Sequence, residues 1–280
     1  MRSLISPLLL FLALSISGLS CPLMGQGNCE SFAAGSKERI ACEYGKRAIS
    51  FKQGSRQSLL YFDSAIATNP DYAWAYYEKS ITFLKRGYLS KGMSILNKAV
   101  ELDPLSYLTY RAYWYFQHQS YAYCQRDLQA YYALEGAYDQ NTPGGALSMR
   151  IVLALSHAQT GSNAKAITLV EEVMQNYPSE DYAGPYDFHT LGVLYYREKD
   201  YEKANSALLK SIVRNAQFAD TYYYLAKVNE GLGNMDEARR YLSEAMKRYD
   251  GQSDGYTGYP FCFPVSKEQA AAQRLEWQEQ

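Results

Sequence analysis

The stretch Pro70-Asp-Tyr-Ala-Trp74-Ala-Tyr-Tyr77-Glu-Lys-Ser80-Ile-Thr-Phe-Leu84-Lys-Arg-Gly87-Tyr-Leu-Ser-Lys-Gly92-Met-Ser-Ile-Leu96-Asn-Lys-Ala99-Val-Glu-Leu-Asp-Pro104 decides the fold. Two amphipathic helical patterns flank a break at Arg86-Gly87, and the bounding prolines stand 34 residues apart. Such a spacing is a repeat period of one helix–turn–helix unit. Counted from Ala73 as slot one, Tyr76, Lys79, Ser80 and Phe83 share one face of the first helix. Gly92, Leu96 and Ala99 share one face of the second, and Pro104 closes the unit in slot thirty-two.

The unit resembles the tetratricopeptide repeat, which is helical, of this length, and carries small residues in slots eight, twenty and twenty-seven. Slots eight and twenty face each other, so a bulky side chain there would force the helices apart. The frame recurs in units near 39–72, 73–106, 105–140, 147–180, 185–218 and 219–252. Unit one places Ser58, Phe62, Ala65 and Pro70 correctly, but its slot eight is Lys46, with Gly45 beside it to take the small role. Unit three is the least regular, with Ala112, Cys124, Asp127 and Leu128 in frame. Unit four carries Ala154, Gly161, Ala166, Val170 and Pro178. Gly192, Ala204 and Leu208 mark unit five, and Ala226, Gly233, Ala238, Leu242 and Ala245 mark unit six. The resemblance implies an all-α chain, an α-solenoid of about six repeats over 39–252. Residues 253–280 are expected to add a loop and a capping helix, opened by the capping box Ser266-Lys-Glu-Gln269.

Residues 1–25 read as a secretory signal: a basic start at Arg2, an apolar run over Leu8–Ile16, then small residues. The run is too short to span a bilayer comfortably. Cleavage before Cys21 would give a lipoprotein, although Gly18 stands where such sites prefer Leu; cleavage near Gly25 would release a soluble protein. Both remain open. Residues 26–38 form a lead to the first helix. Export exposes thiols to an oxidising compartment. Cys29 and Cys42 are close enough to form a disulfide; the alternative is that Cys42, in slot four, is a core thiol. Cys124 in slot twenty suits packing better than a bridge to the distant Cys262.

The formal net charge is −1 with no basic stripe, which makes nucleic acid a poor partner, and none is expected. Thr142-Pro-Gly-Gly145 is the clearest internal breaker, either a joint between halves or a long loop. No catalytic or metal constellation is present in the sequence, and no cofactor is called for. His118, His157 and His189 lie in different units without ligand spacing, and His157 falls in a core slot. No phosphate-binding glycine loop or Cys-x-x-Cys pair occurs.

Tyrosine is abundant, 28 in 280 residues, and its placement carries the functional reading. The resemblance implies that first-helix slots two, five, nine, twelve and thirteen line a concave groove. They hold Trp74, Tyr77, Ile81 and Leu84 in unit two, and Thr109, Tyr113 and Phe116 in unit three. Unit five supplies Tyr186, His189 and Tyr196, unit six Tyr223 and Lys227, and unit one Glu43 and Arg47. Aromatics on a concave surface anchor protein recognition, apolar in body and polar at the tip. The opposing reading is packing: Tyr76, Phe83, Tyr195, Tyr201 and Tyr222 stand in core slots, and groove aromatics can also pack sideways. The Lys, Asn and Arg clamp with which some members hold a terminal carboxylate is absent from slots five and nine.

The expectation is therefore a non-enzymatic scaffold in the envelope of a Gram-negative-type bacterium, similar to lipoprotein scaffolds of outer-membrane, pilus and secretion machines. It would bind protein or peptide segments, and meet the membrane only through an N-terminal lipid. The alternative is a glycan- or peptidoglycan-associated protein that stacks sugars on the same aromatics.

Overall fold

The structure is a computed structural model that describes residues 28–251 and 263–278. The expected signal over residues 1–25, with Cys21 and Gly25, and Cys262 lie outside the described residues. Thirteen α-helices occupy the described chain. They pair into six hairpins: α1 (Lys37–Ile49) with α2 (Arg56–Thr68), α3 (Ala73–Lys85) with α4 (Leu89–Leu102), and α5 (Pro104–Gln117) with α6 (Tyr121–Tyr132). The series continues with α7 (Met149–Gln159) and α8 (Asn163–Gln175), α9 (Asp187–Arg197) and α10 (Tyr201–Arg214), and α11 (Ala219–Gly231) and α12 (Met235–Gly251). A final helix, α13 (Lys267–Gln278), closes the stack.

Local chemistry sets the helix ends. The side chains of Ser36, Ser55, Asp103, Ser148 and Asp200 accept a first-turn backbone N–H, which satisfies an otherwise orphaned donor. Ser266 and Gln269 do so reciprocally, with Gln269 N–H to Ser266 Oγ at 3.2 Å and Ser266 N–H to Gln269 Oε1 at 2.8 Å. In every hairpin the residue two places before the second helix has a positive φ. It is Gly54, Gly87, Gly161 or Gly233 in four hairpins, but Gln119 (57°) and Lys199 (63°) in the other two. The turn needs that conformation, and only glycine adopts it without steric cost.

Small residues set the distance between helices. A Cβ built on Gly92 would stand 2.6 Å from Leu84 Cγ, and one on Gly192 2.6 Å from Leu208 Cγ. In unit one Gly45 takes this role: its Cβ would meet the Trp74 ring at 2.5 Å, while Lys46 is exposed. Consecutive hairpins pack second helix on next first helix, and α5 also packs on α7, α7 on α9, and α9 on α11. The first helices therefore form the inner layer. One apolar core runs without a break from Ala112 in α5 to Val228 in α11.

That continuity decides the reading of the breaker between units three and four. Residues 133–148 are a pinned loop, not a joint. Tyr131 Oη donates to Tyr138 O at 2.8 Å and accepts from Gln140 Nε2 at 2.9 Å. Met149 N–H donates to Gln140 O at 2.7 Å, and Asn141 bridges Ser148 in antiparallel fashion. Below the loop, Asp127 is 1% exposed and held by Arg111, with Nε to Oδ2 at 2.6 Å and Nη2 to Oδ1 at 3.0 Å. At the N-terminus Cys29 and Cys42 are joined as a disulfide, and Cys124 is a buried free thiol. Among the described residues no helix is long and apolar enough to cross a membrane.

Candidate partner-binding groove

The eleven side chains expected to line the groove do not form one surface. Five are buried, which corrects their assignment. Trp74 is 4% exposed and packs edge-on to Phe62 at 6.0 Å, against Gly45 of the preceding hairpin. Leu84 lies against Gly92, and Ile81 and Phe116 are also buried. His189 is fully buried, its Nδ1 3.0 Å from Thr221 Oγ1 and its ring edge-on to Phe218 at 4.7 Å. Trp74 and Leu84 of α3 are covered by Gly45 of α1 and Gly92 of α4, whereas on α5 and α9 direct packing of successive first helices takes inner-face slots into the core. Ile151 and Leu155, in slots five and nine of α7, are fully buried for the same reason.

Tyr77, Tyr113, Tyr186, Tyr196, Tyr223 and Lys227 remain partly exposed. They fall into two regions. In the first, Tyr77 of α3 stacks on Tyr107 at 4.8 Å and meets Tyr110 edge-on at 4.9 Å. Tyr110 continues to Tyr113 at 6.4 Å and to Trp114 at 6.4 Å, and Trp114 stacks on His118 at 5.6 Å. This is a continuous aromatic ladder across α3 and α5. Beside it lies a cleft of about 210 Å³ lined by Tyr77, Ser106, Thr109, Tyr110, Gln140, Asn141, Pro143 and Met149. The pinned loop forms one wall, because Thr109 Oγ1 donates to Gln140 Oε1 at 2.8 Å. Burial raises the pKa of Tyr77, Tyr107 and Tyr110, so the ladder presents neutral hydroxyls rather than phenolates. Glu78 on the same helix is half-buried; burial raises its carboxyl pKa and Lys85 offsets part of that effect.

In the second region the surface is occupied from within. Lys227 Nζ donates to Gln273 Oε1 at 3.0 Å, pairs with Glu230, and lies 5.6 Å from the Trp277 ring centroid. Tyr223 packs against the cluster that contains Trp277. Tyr196 meets Tyr224 edge-on at 5.7 Å, and Tyr186 meets Phe218 at 5.0 Å.

The sequence reading missed Tyr110, Trp114 and the loop wall. Tyr110 and Trp114 sit one position past the groove slots, so slot rules pass over them; the aromatic run Tyr107 to Phe116 was the available signal. The slot rule itself, applied to slot thirteen of unit five and slot two of unit six, names Arg197 and Asp220, which hold the C-terminal segment.

The arrangement offers apolar faces with hydroxyl tips. His157 is buried with Nε2 unpartnered among the described residues, and burial lowers its pKa, which keeps it neutral. Among the described residues no three His, Cys, Asp or Glu side chains gather in a metal-holding group.

Comparison with known proteins agrees with the geometry. A family model described as tetratricopeptide repeat matches residues 189–253. ER membrane protein complex subunit 2 of Xenopus tropicalis is 32% identical over 111 residues, 39% of this chain and 36% of its own length. Subunit 2-A of Xenopus laevis is 31% identical over the same share. The chain thus matches little more than a third of these curated relatives. Among solved structures, Pseudomonas aeruginosa PilF superposes with a TM-score of 0.61 at 15% identity, over 87% of this chain and 98% of PilF. PilW, a type IV pilus biogenesis factor, gives 0.60 at 14% identity, over 84% and 98%. YrrB, a protein of this repeat class with an unusual peptide-binding site, gives 0.53 at 15% identity, over 72% and 95%. This repeat is in general a non-enzymatic module that binds proteins or peptides. Six stacked hairpins on one register, with small residues where helices meet, give this chain the α-solenoid fold of tetratricopeptide repeats, and residues 189–253 match the repeat's family model.

Proposed function

We propose that the chain is an exported scaffold of the bacterial envelope, not an enzyme, and that it holds an extended segment of a partner polypeptide along the tyrosine ladder of α3 and α5. The observation that carries this reading is the cleft between Tyr77, Tyr110 and the 138–143 loop, which lies open beside stacked aromatics. Each aromatic anchor that a partner buries contributes about 1.5–3 kcal/mol. Ordering costs consume much of the sum, so affinity is expected near micromolar. Export is supported by the leader-like sequence of residues 1–25 and by the Cys29–Cys42 disulfide, a bond characteristic of oxidising compartments. The peptide site of YrrB and the pilus role of PilW are precedents for the same fold in such work.

The test is co-purification from the native envelope with wild-type protein and a folded Tyr77→Ala/Tyr110→Ala/Tyr113→Ala variant. A polypeptide partner captured by wild type and lost in the variant is the expected result. Retention by the variant refutes the cleft as the interface, and capture of glycan without polypeptide transfers the site to sugar binding.

A further inference from the structure

Residues 263–266 enter α13 without helical structure and lie on the inner face of the last two hairpins. Phe263 is buried in the main core cluster, and the Arg197 guanidinium stands 4.8 Å from its ring centroid. The Phe263 carbonyl accepts from Tyr224 Oη at 3.1 Å, and Val265 N–H donates to Asp220 Oδ2 at 3.2 Å. Further along, Trp277 Nε1–H donates to Glu230 Oε1 at 2.8 Å and Gln273 accepts from Lys227. Arg197, Asp220, Lys227 and Glu230 occupy slots thirteen, two, nine and twelve of their units, all inner-face slots. The tail therefore sits where a foreign segment would sit.

The chemistry of the seat is that of peptide recognition. Two hydrogen bonds go to the tail's main chain and read no side chain, while the cation over the Phe263 ring and the apolar cluster beneath it select an aromatic residue. Asp220 is itself held in place, because Tyr249 Oη donates to its other carboxyl oxygen at 2.6 Å. Phe263 also has φ 53°. A bulky residue in that region is strained and stays there only because its surroundings hold it. A partner segment that makes the same bonds without that strain has an advantage over the tail.

We propose that α9 and α11 form a second peptide-binding site, occupied in cis by Phe263-Pro264-Val265, and that partner segments with an aromatic–proline–aliphatic sequence bind there by displacing the tail. The proposal rests on the scaffold reading and adds its regulation: the last two units are closed until a competing segment arrives. Because the tail is part of the same chain, it competes intramolecularly, and trans ligands bind weakly to the closed form.

The experiment uses the full-length chain and a fluorescein-labelled synthetic peptide with the sequence of residues 263–278, titrated by anisotropy. Phe263→Ala/Val265→Pro in the full-length chain removes the ring and the N–H donor, and is expected to bind the peptide at least tenfold more tightly than wild type. Adding Asp220→Asn to that variant is expected to reverse the gain. Because the variant risks a disturbed fold, wild-type protein is digested in parallel with trypsin. Excess peptide is expected to accelerate cleavage after Lys267 and Arg274, while a scrambled peptide leaves it unchanged. Equal affinity for wild type and variant, or cleavage unchanged by peptide, overturns the proposal and leaves the tail as a plain structural cap. Neither result touches the Tyr77 cleft, whose test is partner capture; loss of that reading would leave the titration standing.

Discussion

Gly192→Ala tests the helix-packing argument at its narrowest point. The added Cβ would stand 2.6 Å from Leu208 Cγ, 2.8 Å from Leu208 Cδ2 and 3.2 Å from Leu208 backbone N. Carbon atoms in ordinary contact lie about 3.5–4.0 Å apart, so roughly an ångström must be recovered. Leu208 is fully buried and cannot swing into solvent, and the backbone contact means that α9 and α10 must separate. Overpacking of this kind costs about 1–3 kcal/mol, against about 1 kcal/mol gained from the better helix propensity of alanine. The expected result is a net loss of about 1 kcal/mol. In a Leu208→Ala background the obstruction is gone, and Gly192→Ala is expected to stabilise by about 1 kcal/mol. Urea unfolding of wild type, the two single variants and the double variant measures the cycle, with the sign change as the readout. Were Gly192→Ala to stabilise the wild-type chain, or the two changes to add without coupling, the claim that glycine sets the α9–α10 distance would be refuted.

Other consequences follow from named residues. Lys199→Gly relieves a left-handed, exposed turn residue and is expected to stabilise by about 1 kcal/mol, raising the thermal midpoint by a few degrees; the same change at exposed Lys203, inside α10, is expected to lower it. Asp127→Ala leaves the part-buried Arg111 without its carboxylate and is expected to cost about 3–5 kcal/mol by urea unfolding, with secondary structure by circular dichroism retained below the transition. Glu78 has a folded pKa raised by burial, so the folded state holds its proton more tightly than the unfolded chain and stability falls as pH rises from about 4.3. Glu78→Gln is therefore expected to raise the thermal midpoint at pH 8, with no difference from wild type at about pH 3. Reduction of Cys29–Cys42, whose separation is 13 residues, removes about 3 kcal/mol. Because repeats depend mainly on their neighbours, hydrogen exchange is expected to quicken in α1 and α2 and stay slow in α7.

The architecture was legible in the sequence because small residues and turn residues act locally and recur. Gly92 and Gly192 announce where two helices touch, Gly87, Gly161 and Gly233 where the chain reverses, and Ser266-Lys-Glu-Gln269 where the last helix begins. Even the exception in unit one was readable, since Gly45 stands next to the misplaced Lys46. The groove was not legible in the same way. Slot rules place Trp74, Tyr77, Ile81 and Leu84 on related faces of α3, yet only Tyr77 among these four escapes the core. What separates Trp74 from Tyr77 is Gly45 in another hairpin and Tyr110 in a third.

The sequence alone therefore determined the repeat, its six-hairpin length and the positions of its turns. These follow from interactions within about 34 residues, which a periodic sequence records directly. Tertiary structure alone decided which aromatics stay available. That depends on how closely α5, α7, α9 and α11 approach, on the 133–148 loop folding against Thr109, and on Phe263 returning to Arg197 and Tyr224. Exposure is a property of everything that packs against a side chain, and a one-dimensional pattern does not contain the neighbours that close over it.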